Sequence, residues 1–226
     1  MGLLGNGILA IWNDVEAGGD AEYNHWHTRE HIPARVGVPG FVRGRRYVAV
    51  SGAPRYFTLY ETETVETLAG PAYLARLNDP TPWTGRVLPL FRSTIRTACR
   101  VTLSLGHGVG GALATLRLAP MPGRDEELRS WLIGTTLPML VERPGLVGGH
   151  LCEADISATQ IPTEERRLRA GPDQVVCWVL LVEGTEPEAV ETGCRDLLRP
   201  DALERRGVSP GAAFTIYRLL YSLSRY

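Results

Sequence analysis

Residues 7–13 are almost wholly apolar (Ile8, Leu9, Ala10, Ile11, Trp12), which predicts a buried first strand. The period then changes. Asp20 can accept free backbone N–H groups of a first helical turn, and Tyr23, His27 and His31 recur every four residues along one face of a helix over 21–36. Pro33 should disrupt that helix, and Pro39-Gly40 should turn the chain. Strands are expected over 41–51 and 55–62, around the turn Ser51-Gly52-Ala53-Pro54. In the second of these, Phe57, Leu59 and Glu61 share one face, and Tyr56, Thr58 and Tyr60 the other. A helical stretch with Val65, Leu68, Tyr73, Leu74 and Leu77 is interrupted at Gly70-Pro71; a short helix over 83–90 and a long strand over 91–105 follow. This β-α-β-β-α-β order is the ferredoxin-like plan, an antiparallel sheet with two helices on one face.

The plan recurs. Adding 105 carries Trp26 to Trp131, Pro33 to Pro138, Pro39-Gly40 to Pro144-Gly145, Val42 to Val147 and Gly44 to Gly149. His27 and His31, however, land on Leu132 and Thr136. The framework repeats and the titratable groups do not. Strands over 112–118, 146–154, 174–183 and 212–224 and helices over 124–142 and 186–198 complete a second unit. The expected architecture is therefore α+β, with two tandem ferredoxin-like units closing an α+β barrel within one chain. Residues 1–105 would carry the site, and residues 106–226 would form a degenerate copy. Gly106-His107-Gly108-Val109-Gly110-Gly111 spells a dinucleotide fingerprint, but a strand follows where phosphate binding needs a helix, so it reads as a flexible joint. Residues 155–172 are an insertion, expected as a solvated loop.

Composition narrows the function. Charged residues make up 22% and the formal net charge is −1, which gives no global attraction to nucleic acid or anionic membrane. No apolar run approaches the roughly 20 residues of a membrane helix. The start Met1-Gly2-Leu3-Leu4-Gly5 lacks a basic leader, and Asn6 stands where a myristoylation signal needs Ser or Thr, so a cytoplasmic location is expected. Cys99, Cys152, Cys177 and Cys194 form no C-x-x-C pair and read as free thiols.

The residues Trp26, Glu30-His31-Ile32-Pro33, Val38-Pro39-Gly40-Phe41 and Arg45-Arg46-Tyr47 resemble the dimeric α+β-barrel superfamily, and within it the EthD-like and muconolactone-isomerase-like groups. The resemblance covers most of residues 7–103. It implies a pocket between the sheet and helices of one unit, with the helix histidine facing a ligand. The superfamily includes isomerases, cofactor-free oxygenases and haem enzymes, so it implies the fold more firmly than the reaction.

His31 is the leading candidate for acid–base work, because imidazole can take and give a proton near neutrality. His27, one turn earlier, is a second candidate. Arg46 is expected to hold a carboxylate or enolate, or else to pair with Glu61 or Asp14; Arg43 and Arg45 are expected in solvent. Tyr60 and Tyr47 can donate to a developing oxyanion. Tyr23, Asn24, Trp26 and Trp83 are candidates for lining the substrate site. His27-Thr28-Arg29-Glu30-His31 also matches H-x-x-E-H, but a zinc hydrolase needs a further ligand and a long regular helix, which Pro33 opposes. The expected function is a cofactor-free isomerase, lyase or cyclase acting on a small cyclic or aromatic carbonyl compound. The alternatives are a cofactor-independent monooxygenase, a metal or haem protein with His107 as one axial ligand, and a non-catalytic ligand carrier. Its partner would be a small molecule rather than nucleic acid or membrane; the internal repeat permits a homodimer without requiring one.

Overall fold

The computed structural model describes residues 2–225. Eight strands run in the order β1 (Gly7–Val15), β2 (Phe41–Ser51), β3 (Tyr56–Thr62), β4 (Phe91–Gly106), β5 (Ala112–Leu118), β6 (Leu146–Ala154), β7 (Trp178–Gly184) and β8 (Phe214–Ser224). They close a barrel in the spatial order β1-β3-β2-β8-β5-β7-β6-β4. Each half is thus a ferredoxin-like sheet (β4-β1-β3-β2 and β8-β5-β7-β6), and the halves are stitched by the antiparallel pairs β2–β8 and β4–β6.

The 105-residue repeat is visible in backbone geometry. Gly40 and Gly145 both turn the chain with positive φ, 86° and 80°. The first helix consists of Asp20–Trp26, a π-turn His27–His31, and Ile32–Val36; its copy consists of Asp125–Trp131, a π-turn Leu132–Thr136, and Leu137–Val141. Each π-turn sits just before the proline. Pro33 has no N–H to bond back along the helix, and Ile32 N–H reaches five residues back to the His27 carbonyl. The expectation that Pro33 disrupts the helix is therefore corrected. The helix absorbs it as a local widening and continues to Val36. Asp20 does not cap this helix either: its carboxylate accepts from Tyr56 Oη at 2.6 Å and Arg55 at 2.8 Å.

Strand alternation sorts the chain into layers. Ile8, Ala10, Trp12, Tyr47, Phe57, Leu59, Leu113, Leu181 and Tyr217 point inward and fill the barrel lumen. The outward face of the first sheet packs against its helices through Leu9, Ile32, Phe41, Tyr60, Leu68 and Tyr73. The corresponding layer of the second half is an unbroken apolar cluster including Leu116, Leu128, Leu132, Leu137, Leu140, Leu180 and Val182.

Arg43 and Arg45, expected in solvent, are buried in the lumen. Arg43 Nε lies 2.7 Å from Glu61, and Arg45 bridges Glu61 at 3.0 Å and Glu183 at 2.9 Å. A strand face that is polar in an open sheet meets water; here closure of the barrel encloses it, and the arginines persist because carboxylates neutralise them. Glu183 also accepts the Gly110 N–H at 3.1 Å. With His107 N–H on Val147 O at 3.0 Å and Leu219 N–H on Gly111 O at 2.9 Å, this pins the glycine joint at three points. Glycine is required there because a Cβ at Gly106 would fall 2.0 Å from Val147 O. The joint is thus a tethered close crossing rather than a slack linker.

The insertion is also corrected. It contains helices Ile156–Thr159 and Glu164–Leu168 and is partly buried, with Ala158, Thr159 and Glu165 inside. It leaves the second half to lie over the helix–sheet layer of the first.

Candidate functional site

A cavity of about 30 Å³ lies in that covered layer, room for one or two waters. Ile11, Tyr60, Phe91, Thr94 and Arg96 line it from the sheet and its edge, His31 and Arg35 from the first helix, Leu68, Tyr73, Leu74 and Leu77 from the second helical region. Ala158, Ile161, Thr163, Glu165, Arg166 and Arg169 close it from the insertion. The first unit thus supplies the floor and walls, and the second unit the roof.

His31 is 8% exposed, and its ring packs on Trp26 with centroids 4.1 Å apart. No described residue hydrogen-bonds either ring nitrogen. Burial, reinforced by Arg35 and His27, pushes its pKa well below the ordinary histidine value, so it stands neutral at pH 7 and able to accept a proton. Tyr60 Oη is buried without a hydrogen-bond partner, and burial raises the phenol well above its usual range. It therefore keeps its proton as a donor. Arg35, one helical turn after His31, is buried and forms an ion pair with Glu165. Burial alone would depress the Arg35 pKa; Glu165, helped by Tyr73 and Tyr60, outweighs it and raises the pKa.

The other sequence candidates lie elsewhere. His27 sits one turn before His31, between Tyr23 at 5.0 Å and His31 at 5.3 Å, buried but off the cavity wall. Its Nδ1 has no partner, and burial followed by Arg46 holds its pKa low. Arg46 pairs with neither Glu61 nor Asp14. It donates to the Asn24 side chain and to Asn24 O at 3.1 Å, and its guanidinium lies over Tyr23 and Tyr56. Tyr23 Oη donates to Asn13 at 3.1 Å. Tyr47 points into the lumen, on the opposite sheet face from Tyr60, so the two cannot serve one oxyanion. Trp26 is core, with Nε1 donating to Thr84 at 3.1 Å. Trp83 is half-buried against the Tyr23–Trp26 cluster, off the cavity wall, and donates to Glu22 at 2.6 Å.

The H-x-x-E-H reading is also corrected. Glu30 accepts from Trp26 at 3.2 Å and from Thr84 at 3.0 Å, so it fastens the helix to its neighbour instead of facing a metal. Among the described residues no third His, Cys, Asp or Glu joins the two histidines. His107, the axial ligand expected for a haem, is an exposed joint residue off the cavity wall.

Sequence reasoning missed Arg35, Arg96 and Glu165. Arg35 had a signal, since Tyr23, His27, His31 and Arg35 share the four-residue spacing. Glu165 had none.

Neither family models nor curated protein sequences give a match. Solved structures do. An anthrone oxidase-like protein superposes with a TM-score of 0.62 at 14% identity, covering 96% of this chain and 92% of that one. A provisionally assigned monooxygenase from Fusobacterium nucleatum gives 0.63 at 9% identity, covering 99% and 96%. A haem-binding protein from Thermus thermophilus gives 0.53 at 10%, covering 96% and 92%. The fold is the ferredoxin-like α+β barrel. Similarity at these identities carries the architecture and not the chemistry. Among the described residues no helix is long and apolar enough to cross a membrane.

Proposed function

We propose that the chain is a small-molecule enzyme in which His31 acts as a general base toward a planar carbonyl or phenolic compound. The observation that carries this is a neutral, buried imidazole that no described residue hydrogen-bonds, on the wall of a cavity that the unbonded Tyr60 hydroxyl also lines. His31 would take the proton from an acidic C–H or O–H, and Tyr60 O–H would donate to the oxygen that becomes negative. Returning the proton to a different carbon completes an isomerisation with no cofactor. This matches the EthD-like and muconolactone-isomerase-like resemblance. Admitting such a substrate requires the insertion to lift, since a cavity of about 30 Å³ is too small for it.

A second reading starts from the same deprotonated substrate and lets it react with dioxygen. The structural likeness to an anthrone oxidase-like protein favours it. A panel of cyclic β-dicarbonyls, unsaturated lactones and anthrone-type phenols separates the readings. Deuterium exchange at carbon reports the base, and an oxygen electrode reports the oxidation. His31→Gln should lose roughly 10²–10⁴-fold in exchange on the responsive substrate. Wild-type exchange by His31→Gln would remove His31 from the chemistry.

A further inference from the structure

Arg96 has no counter-ion among the described residues. It is 9% exposed and lines the cavity. Its guanidinium makes only two long hydrogen bonds, both to neutral acceptors: Nη1 to Thr159 O and Nη2 to Tyr73 Oη, each at 3.4 Å. No described carboxylate lies within 4 Å of it. Every other arginine on the cavity wall has a carboxylate within 4 Å. Arg35 is paired with Glu165, Arg169 with Asp173, and Arg166 lies 3.8 Å from Asp173. The wall therefore bears Arg35, Arg96, Arg166 and Arg169 against Glu165 and Asp173, an excess of two positive charges with the least screened one on Arg96. A buried, unpaired guanidinium is costly, and its planar fork of donors matches a carboxylate.

We propose that Arg96 is the subsite for a carboxylate on the substrate, so that the enzyme takes planar carbonyl or phenolic compounds that also carry a carboxylate. The assignment rests on the same cavity as the general-base reading and deepens it. The carboxylate takes the site at β4 and aligns the remainder of the molecule along the apolar wall of Ile11, Leu74, Leu77 and Phe91 toward His31 and Tyr60. Arg96 is on this account a binding residue and takes no part in proton transfer.

The test compares benzoate, salicylate and 2-naphthoate with the neutral analogues benzamide and 2-naphthol, by calorimetry and thermal denaturation, on wild type, Arg96→Gln, Arg96→Lys and His31→Gln. At least one carboxylate should bind wild type saturably and raise Tm by roughly 3–6 °C at ten times its Kd. Arg96→Gln should weaken that carboxylate by about 10- to 100-fold while leaving the neutral analogue within about twofold; Arg96→Lys should fall between. His31→Gln should bind the carboxylate like wild type. If that pattern holds but no substrate ever exchanges protons, the base reading fails and the carboxylate site stands. If exchange on neutral substrates depends on His31 while Arg96→Gln changes no affinity, the carboxylate site fails alone. Failure of all three carboxylates to bind, or equal binding of acid and amide, also overturns it. A ligand-free comparison adds a readout independent of any probe: Arg96→Met should hold or raise Tm, because it removes an uncompensated buried charge, and a drop of more than about 5 °C would mark Arg96 as structural instead.

Discussion

Glu165→Ala should be among the most damaging single changes outside the apolar core. Arg35 is 2% exposed and Glu165 4%, and they belong to different halves of the molecule. Removing the carboxylate leaves Arg35 with no counter-charge within 4 Å among the described residues. Breaking a buried pair from one side costs about 3–5 kcal/mol, because the remaining charge keeps its desolvation penalty and loses its compensation. For a chain of this size each kcal/mol moves Tm by about 2–4 °C, so the drop should be roughly 6–20 °C. Urea and thermal denaturation of wild type, Glu165→Ala, Arg35→Met and the double variant Arg35→Met/Glu165→Ala form a cycle. The double variant should recover most of the loss, since it removes both charges together. A loss below about 1 kcal/mol for Glu165→Ala, the size expected of an exposed pair, would refute the view that the insertion is bound into the first unit. The same variant should speed amide exchange in residues 156–169 relative to the barrel strands.

The histidines give a pH signature. Folded His27 and His31 both hold pKa values below the unfolded value, so their contribution is complete above about 6.5 and is lost as pH falls below it, by about 1.4 kcal/mol per unit per histidine until the folded value is reached. His31→Gln should make the acid slope of urea stability shallower, and an unchanged slope would contradict its neutral burial. Glu183 behaves in its own window: burial would raise its carboxyl, but Arg45, His150 and the Gly110 N–H bring it down to about 2. Its stabilisation is present above about 4.5 and is lost as pH falls toward about 2, and Glu183→Gln should flatten that part of the curve. Gly44→Ala places a Cβ 3.0 Å from Ile32 Cγ2 and 3.1 Å from the Tyr60 ring, so it should lower stability by about 1–3 kcal/mol and shift Tyr60 at the cavity wall. Equal Tm and unchanged ligand affinity in that variant would show that the helix has slack to move.

The order of strands and helices was legible because period changes are local. The bounds 41–51 and 146–154 for β2 and β6 follow from patterning alone, and the 105-residue offset announced two copies of one scaffold. The spacing of Tyr23, His27 and His31 likewise put His31 on a buried face, and that same spacing extends to Arg35. The fates of Arg43, Arg45 and Tyr47 were not legible. Alternation says that they share a face of β2, but whether that face meets water depends on the β2–β8 and β4–β6 seams, which join residues far apart in sequence. Pro33 reads as a helix breaker until the π-turn before it is seen. The roof of the cavity was hidden for the same reason as the lumen. Glu164-Glu165-Arg166-Arg167 has the composition of a solvated loop, and only its path across the first unit gives Glu165 a buried arginine to neutralise. Local pattern thus determined which groups are available for chemistry, whereas closure of the barrel and the crossing of the insertion decided which of them are neutralised, which, like Arg96, lack a carboxylate among the described residues, and which, like the Tyr60 hydroxyl, lack a hydrogen bond.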